Sequence, residues 1–148
     1  MIIIRIWHYE ILPYLPDAQF NGQLRELVSI MHDWRDKGKT NHLLINKVML
    51  YPKNDLVRYF VYYEAIYKKR YGVWLKQWDE FKTFDDTLVD DRNKGMFEGW
   101  HNKEYLRVCM ANLYEKHMFG LGKSRITDKE WKRLRLGYYT ITGEVYDL

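Results

Sequence analysis

The sequence predicts a mainly α, compact single-domain helical bundle with an extended N-terminal arm and an aromatic C-terminal tail. Three observations carry that expectation. Phe20, Leu24, Leu27, Met31 and Trp34 recur at spacings of four, three, four and three, which is one continuous helical stripe. Leu56, Phe60, Tyr63 and Tyr67, and again Leu106, Cys109, Met110 and Leu113, repeat that period. Start and stop signals bracket the stripes. Thr127-Asp128-Lys129-Glu130 reads as a capping box, and Gly38 and Gly72 stand where left-handed terminal residues belong.

The elements follow in order. Residues 3–7 alternate weakly and are rich in β-branched side chains, which suits a short strand as well as an extended arm. Pro13 and Pro16 predict a turn, and Asp17 is placed to cap the first helix, which Gly38 ends. Residues 41–51 read as a short second helix that Tyr51-Pro52 breaks. Asn54 or Asp55 caps a third helix ending near Gly72, with Lys68-Lys69-Arg70 where the helix dipole favours cations. Trp74, Leu75, Trp78 and Phe81 continue as a further helical stretch, and 85–95 is a loop. Asn102 caps a helix through about Met118 that turns Cys109 inward as a small core residue. The capping box opens a short basic helix to Gly137, and Tyr138 to Leu148 reads as extended.

Bulk properties narrow the function. A chain of 148 residues fits one domain over 1–148, and 47% hydrophobic residues suffice for a core. Apolar runs such as Leu43-Leu44-Ile45 fall far short of the roughly 20 residues a spanning helix needs, so no membrane partner is expected. Met1-Ile2-Ile3-Ile4 is too short for the apolar core of a signal peptide. One cysteine excludes an internal disulfide, and together these point to the cytoplasm. A net charge of +4 permits a polyanionic partner. The charge is unevenly placed. Residues 79–98, an acidic insert-like segment, hold seven acidic residues against three basic; 116–137, including the basic segment 123–137, hold seven basic against two acidic. Two faces, one suited to phosphates, would produce that pattern, and so would two ordinary solvated surfaces.

Most catalytic constellations are missing. The five histidines lack tight pairing and one cysteine builds no thiolate site, so neither metal nor cofactor is expected. His101 and Glu104 are three apart, a spacing that would put them on one face if both were helical; that is a weak basis for a metal-dependent nuclease, and a capping role suits them better. No phosphate-cradling glycine loop or serine elbow is present. What remains is an N-terminal amine near a carboxylate. An α-amine, with a pKa near 8, is partly neutral and nucleophilic at physiological pH. Attack on the anomeric carbon of a sugar gives an imine, and β-elimination can then cut a strand. At 100° per residue Glu26 sits at the edge of the first stripe beside Gln23 and Ile30, with Arg25 on the other side. A carboxylate there is placed to stabilise developing positive charge and move protons, although an ordinary boundary glutamate occupies the same position.

Several segments resemble the phage pyrimidine-dimer DNA glycosylase family, also called endonuclease V, with its short bacterial relatives. They are Arg5-Ile6-Trp7-His8, Leu24-Arg25-Glu26, Gly38-Lys39 and Asn41-His42 through Tyr51-Pro52, more weakly Trp100-His101-Asn102 through Asn112-Leu113-Tyr114-Glu115-Lys116, and loosely the tail Tyr138-Tyr139. The resemblance implies a mainly helical DNA repair enzyme acting on damaged double-stranded DNA. It implies an amine nucleophile, a catalytic Glu26, and Arg5 and Arg25 as phosphate grips. His8, Lys39, His42, Lys116, Lys123 and Arg125 complete the expected DNA contacts. The nucleophile position aligns with Ile4, and three residues precede it. Either the amine of Met1 is displaced and lyase chemistry is lost, or the arm folds back, or the native start differs. Gln19 stands where the family has a histidine. The alternative is a non-catalytic DNA-binding module of the same fold.

Overall fold

The computed structural model describes residues 6–38, 47–85 and 95–148. Five α-helices lie among them: α1 (Asp17–Lys37), α2 (Lys53–Tyr71), α3 (Trp78–Phe84), α4 (Lys103–Phe119) and α5 (Asp128–Thr142). Three 3-10 turns accompany them, and no strand occurs among the described residues. The chain is mainly α, as the stripes predict. It divides into two compact units, Met1–Gln23 with Trp100–Leu148, and Leu24–Gly99; α1 contributes residues to both.

In the first unit, Pro13 lies inside a 3-10 helix, Tyr9–Tyr14, rather than in a plain turn. The side chain of His8 caps that helix by accepting from the Glu10 N–H. Asp17 is the first residue of α1 rather than its cap, and its charge complements the positive end of the helix. Asn102 caps α4 as predicted, and both bonds of the Thr127–Glu130 capping box are present at the start of α5. Leu106, Cys109, Met110, Leu113, Trp131, Leu134 and Tyr138 are buried between these helices and the 3-10 helix. Burial pushes the Cys109 thiol up to about 12, so the thiolate is disfavoured and this cysteine packs as an apolar side chain. Gly137 lets α5 approach the N-terminal segment, because a Cβ there would stand 2.4 Å from the Tyr14 ring.

The C-terminus departs from expectation. α5 does not stop at Gly137 but runs to Thr142, and Gly143, with φ 75°, ends it. Buried Trp131, Leu134 and Tyr138 keep the helical period, and that outweighs the β propensity of the aromatic and β-branched residues. The remaining tail folds back through Tyr146, which is buried edge-on against Trp131 and Tyr138.

The second unit is built on an aromatic core. Phe60 stacks on Phe81 at 4.0 Å, and Tyr59, Tyr63 and Phe97 are fully buried. Each such side chain contributes on the order of 1.5–3 kcal/mol. Neither Asn54 nor Asp55 caps α2; the helix starts at Lys53 after Pro52, and the buried Asp55 instead accepts from the Phe97 N–H at 3.2 Å. Trp74 and Leu75 fall outside any helix, and α3 begins at Trp78. The Leu75 N–H is taken by the Glu64 carboxylate at 3.2 Å, which anchors the connector by a long-range bond. Val48–Leu50 forms a 3-10 turn, and Tyr51 is extended before Pro52. The remainder of the predicted 41–51 helix, most of the 85–95 loop and most of the 3–7 arm lie outside the described residues.

Candidate catalytic carboxylate and nucleic-acid interface

The chain near its start is tied to α1. The Trp7 N–H donates to Oε1 of Gln23 at 2.8 Å, with both residues buried. The Tyr105 hydroxyl donates to the Ile6 carbonyl, and Nδ1 of His101 accepts from the Tyr9 N–H at 3.2 Å. Gln19, at the position where the resembled family has histidine, is also buried, and its Nε2 donates to the Ser124 carbonyl at 2.9 Å. Thus two amides of α1, one turn apart, face the interior of this unit.

His8 corrects a sequence expectation. It is only 2% exposed, so it is not a surface contact for DNA. Its ring stacks near Tyr9 and His101 at 5.0 and 5.2 Å, and burial lowers its pKa to about 4 against a hydrogen bond with the His101 backbone. An aromatic, neutral imidazole with its Nδ1 used as a cap is a structural element. The short motif Trp7-His8 carried no signal separating that role from a surface one. His101 is likewise buried, while Glu104 is exposed, so the two do not form a paired metal site. No group of three or more metal-ligating side chains occurs among the described residues.

Within the second unit, Glu26 is half-buried on α1. Its neighbour Arg25 is exposed and lines an open pocket of about 520 Å³ with Ser29, His32 and Gln77. Nε2 of His32 lies 2.6 Å from Oε2 of Glu80. Oε1 of Gln77 is buried with no hydrogen-bond partner among the described residues. Asp33, Leu24 and Val28 complete its lining, so a guanidinium and a carboxylate share one hollow with a hydroxyl, an imidazole and an amide acceptor. His32 and Gln77 were missed by sequence reasoning. His32 was visible as the residue seven beyond Arg25 on one helix face, but Gln77 comes from a connector with no pattern.

The remaining expected contacts fall in the first unit or outside the described residues. Lys116 is half-exposed in the last turn of α4, and Lys123 and Arg125 are exposed in the connector to α5. Met1, Ile4, Arg5, Lys39 and His42 lie outside the described residues. Among the described residues, no helix is long and apolar enough to cross a membrane.

The described residues form a helical protein with a half-buried glutamate beside an exposed arginine on α1 and exposed cationic residues on the connector to α5. Comparison adds a family likeness over part of the chain, 69 of its 148 residues. The model of the family described as pyrimidine dimer DNA glycosylase matches residues 4–72, the family that the sequence resembles. The match begins at Ile4, includes Gln19, Gln23, Arg25 and Glu26, and closes at Gly72, which ends α2. It supports a glycosylase-like role in DNA repair, with DNA as partner. No curated protein and no solved structure matches the chain.

Proposed function

We propose that this protein is a DNA glycosylase with lyase activity on damaged double-stranded DNA, of the pyrimidine-dimer type. An N-terminal amine attacks C1′ of the damaged nucleotide. The N-glycosidic bond breaks, its electron pair leaves with the base, and an imine forms between the chain and the opened sugar. The imine acidifies the C2′ hydrogen; loss of that proton expels the 3′ phosphate and cuts the strand. Glu26 stabilises the positive charge developing at C1′ and moves the protons. Arg25 and Arg5 grip flanking phosphates, which positions the duplex without reading its sequence. A damaged site costs least to unstack, which favours lesions over intact pairs.

The observation that carries this reading is the family match over residues 4–72, which includes Glu26. The Trp7–Gln23 bond supports it further. Gln23 lies three residues before Glu26 on α1, a rise of about 4.5 Å. The bond ties the segment that follows Ile4 to the helix that carries Glu26.

The second reading is a DNA-binding module without chemistry. It is favoured by Gln19, which stands where the resembled family has histidine and is buried with its Nε2 donating to the Ser124 carbonyl. Borohydride trapping on duplex containing an abasic site separates the two. Catalysis gives a covalent adduct that Glu26→Gln abolishes while DNA affinity persists. Binding without any adduct would sink the enzymatic reading and leave the module. The intact mass of the natively expressed protein identifies the residue that bears the amine.

A further inference from the structure

We propose that the end of α4 and the connector to α5 form a wedge that drives Phe119 and Leu121 into a base step of duplex DNA, with Lys116, Lys123 and Arg125 on the adjoining phosphates. This rests on the reading of the protein as a DNA-binding one. It adds a contact outside the segment that matches the family, which ends at residue 72.

Phe119 is 77% exposed and Leu121 85%, and Met118 before them is 52% exposed. Single exposed apolar residues are ordinary, but three within four positions mark a surface that meets something. Met118 and Phe119 end α4, and the connector that follows them and carries Leu121 is pinned. The Lys116 carbonyl accepts from the N–H groups of both Gly120 and Ile126, at 3.1 and 3.3 Å. The Arg125 N–H donates to the Gly122 carbonyl at 3.3 Å, and the Ser124 hydroxyl to the Leu121 carbonyl at 3.2 Å. Gln19 of α1 holds the Ser124 carbonyl. A turn whose backbone is already pinned needs little further backbone ordering when its side chains insert.

The two flanking glycines are required by this shape. A Cβ on Gly120 would stand 2.2 Å from the Lys116 carbonyl oxygen, and Gly122 adopts φ +65°. The turn is thus stripped of side chains on both sides of Leu121. Exposed Lys123 and Arg125 follow within four residues, so the tip is apolar and its shoulder cationic. That order matches a duplex opened at one step, where unstacked bases offer an apolar slot between two lines of phosphate. A lipid surface also takes apolar and cationic groups, but a broad amphipathic helix face suits it better than two side chains at a helix end and on the tight turn after it.

The test uses the full chain and duplexes carrying 2-aminopurine beside a tetrahydrofuran abasic analogue, which cannot form the imine and so is bound without being cut. Wild type raises the 2-aminopurine emission on binding as the step unstacks. The double variant Phe119→Ala/Leu121→Ala loses that rise and binds roughly tenfold more weakly, the scale of one lost base–aromatic contact. Its salt slope stays unchanged, because no phosphate contact is removed. Phe119→Leu restores an apolar wedge and recovers the emission. Equal emission and affinity for wild type and the double variant overturn the wedge and leave the DNA reading intact. Binding to anionic phospholipid vesicles through Phe119 and Leu121, with no emission change on DNA, also overturns it. Failure of wild type to bind any duplex defeats the underlying DNA reading as well.

Discussion

The backbone N–H of Trp7 donates to the side-chain oxygen of Gln23, a buried bond that crosses sixteen residues and ties the chain's entry to α1. Neither group has access to water, so removing the acceptor strands a buried donor. Gln23→Leu is expected to lower stability by about 1–3 kcal/mol in urea unfolding. It should also slow adduct formation in borohydride trapping, because the segment leading to the amine loses its anchor. Glu26→Gln is expected to abolish the adduct with little change in unfolding free energy. Equal adduct rates for wild type and Gln23→Leu would separate the anchor from the chemistry.

Stability should fall in mild acid because of His8. Burial depresses its pKa from 6.5 to about 4, so the folded state holds the imidazole neutral while the unfolded chain protonates near 6.5. The contribution is complete above pH 6.5 and is lost as the pH falls toward 4, by up to about 3 kcal/mol. Protonation also removes the ring nitrogen that caps the 3-10 helix. Glu10, 4.0 Å from the ring, acts in the opposite sense, since burial raises its pKa and its contribution is lost as the pH rises. Urea unfolding of wild type and His8→Gln across pH 4–7 isolates the histidine. Parallel curves for the two proteins would show that His8 does not set the acid limit.

Arg25, Lys123 and Arg125 should each act on DNA through charge. Replacing any of them with glutamine is expected to weaken binding to all duplexes similarly. Each change should reduce the slope of log affinity against log salt by about 0.9 per lost phosphate contact. Fluorescence anisotropy at several salt concentrations measures it. An unchanged slope for Arg25→Gln would remove the open pocket from the interface.

The helices were legible in the chain wherever one face is apolar. The stripe from Phe20 to Trp34 and that from Leu106 to Leu113 appear as α1 and α4, because burial of a periodic face dominates local propensity. Caps were legible where the capping side chain has no better partner. Asn102 and Thr127 cap as expected, whereas Asp55 is drawn away by the distant Phe97 N–H. Trp74 and Leu75 kept a helical spacing but lost the helix to the carboxylate of Glu64, eleven residues earlier. Tyr138 to Thr142 reversed the error, since local β propensity yielded to burial against Tyr146.

The sequence by itself determined the mainly α class, the family resemblance, and Glu26 with Arg25 as neighbours on one helix. Those properties depend on residue order and helical period, which act over a few residues. Tertiary structure alone decided that His8 and Gln23 face inward, that Arg25 shares a pocket with Gln77, and that Phe119 and Leu121 stay exposed at the end of α4 and on the pinned turn after it. Each of those outcomes depends on partners far along the chain. Whether a polar group is buried is set by the neighbour that desolvates and satisfies it, and no local pattern names that neighbour.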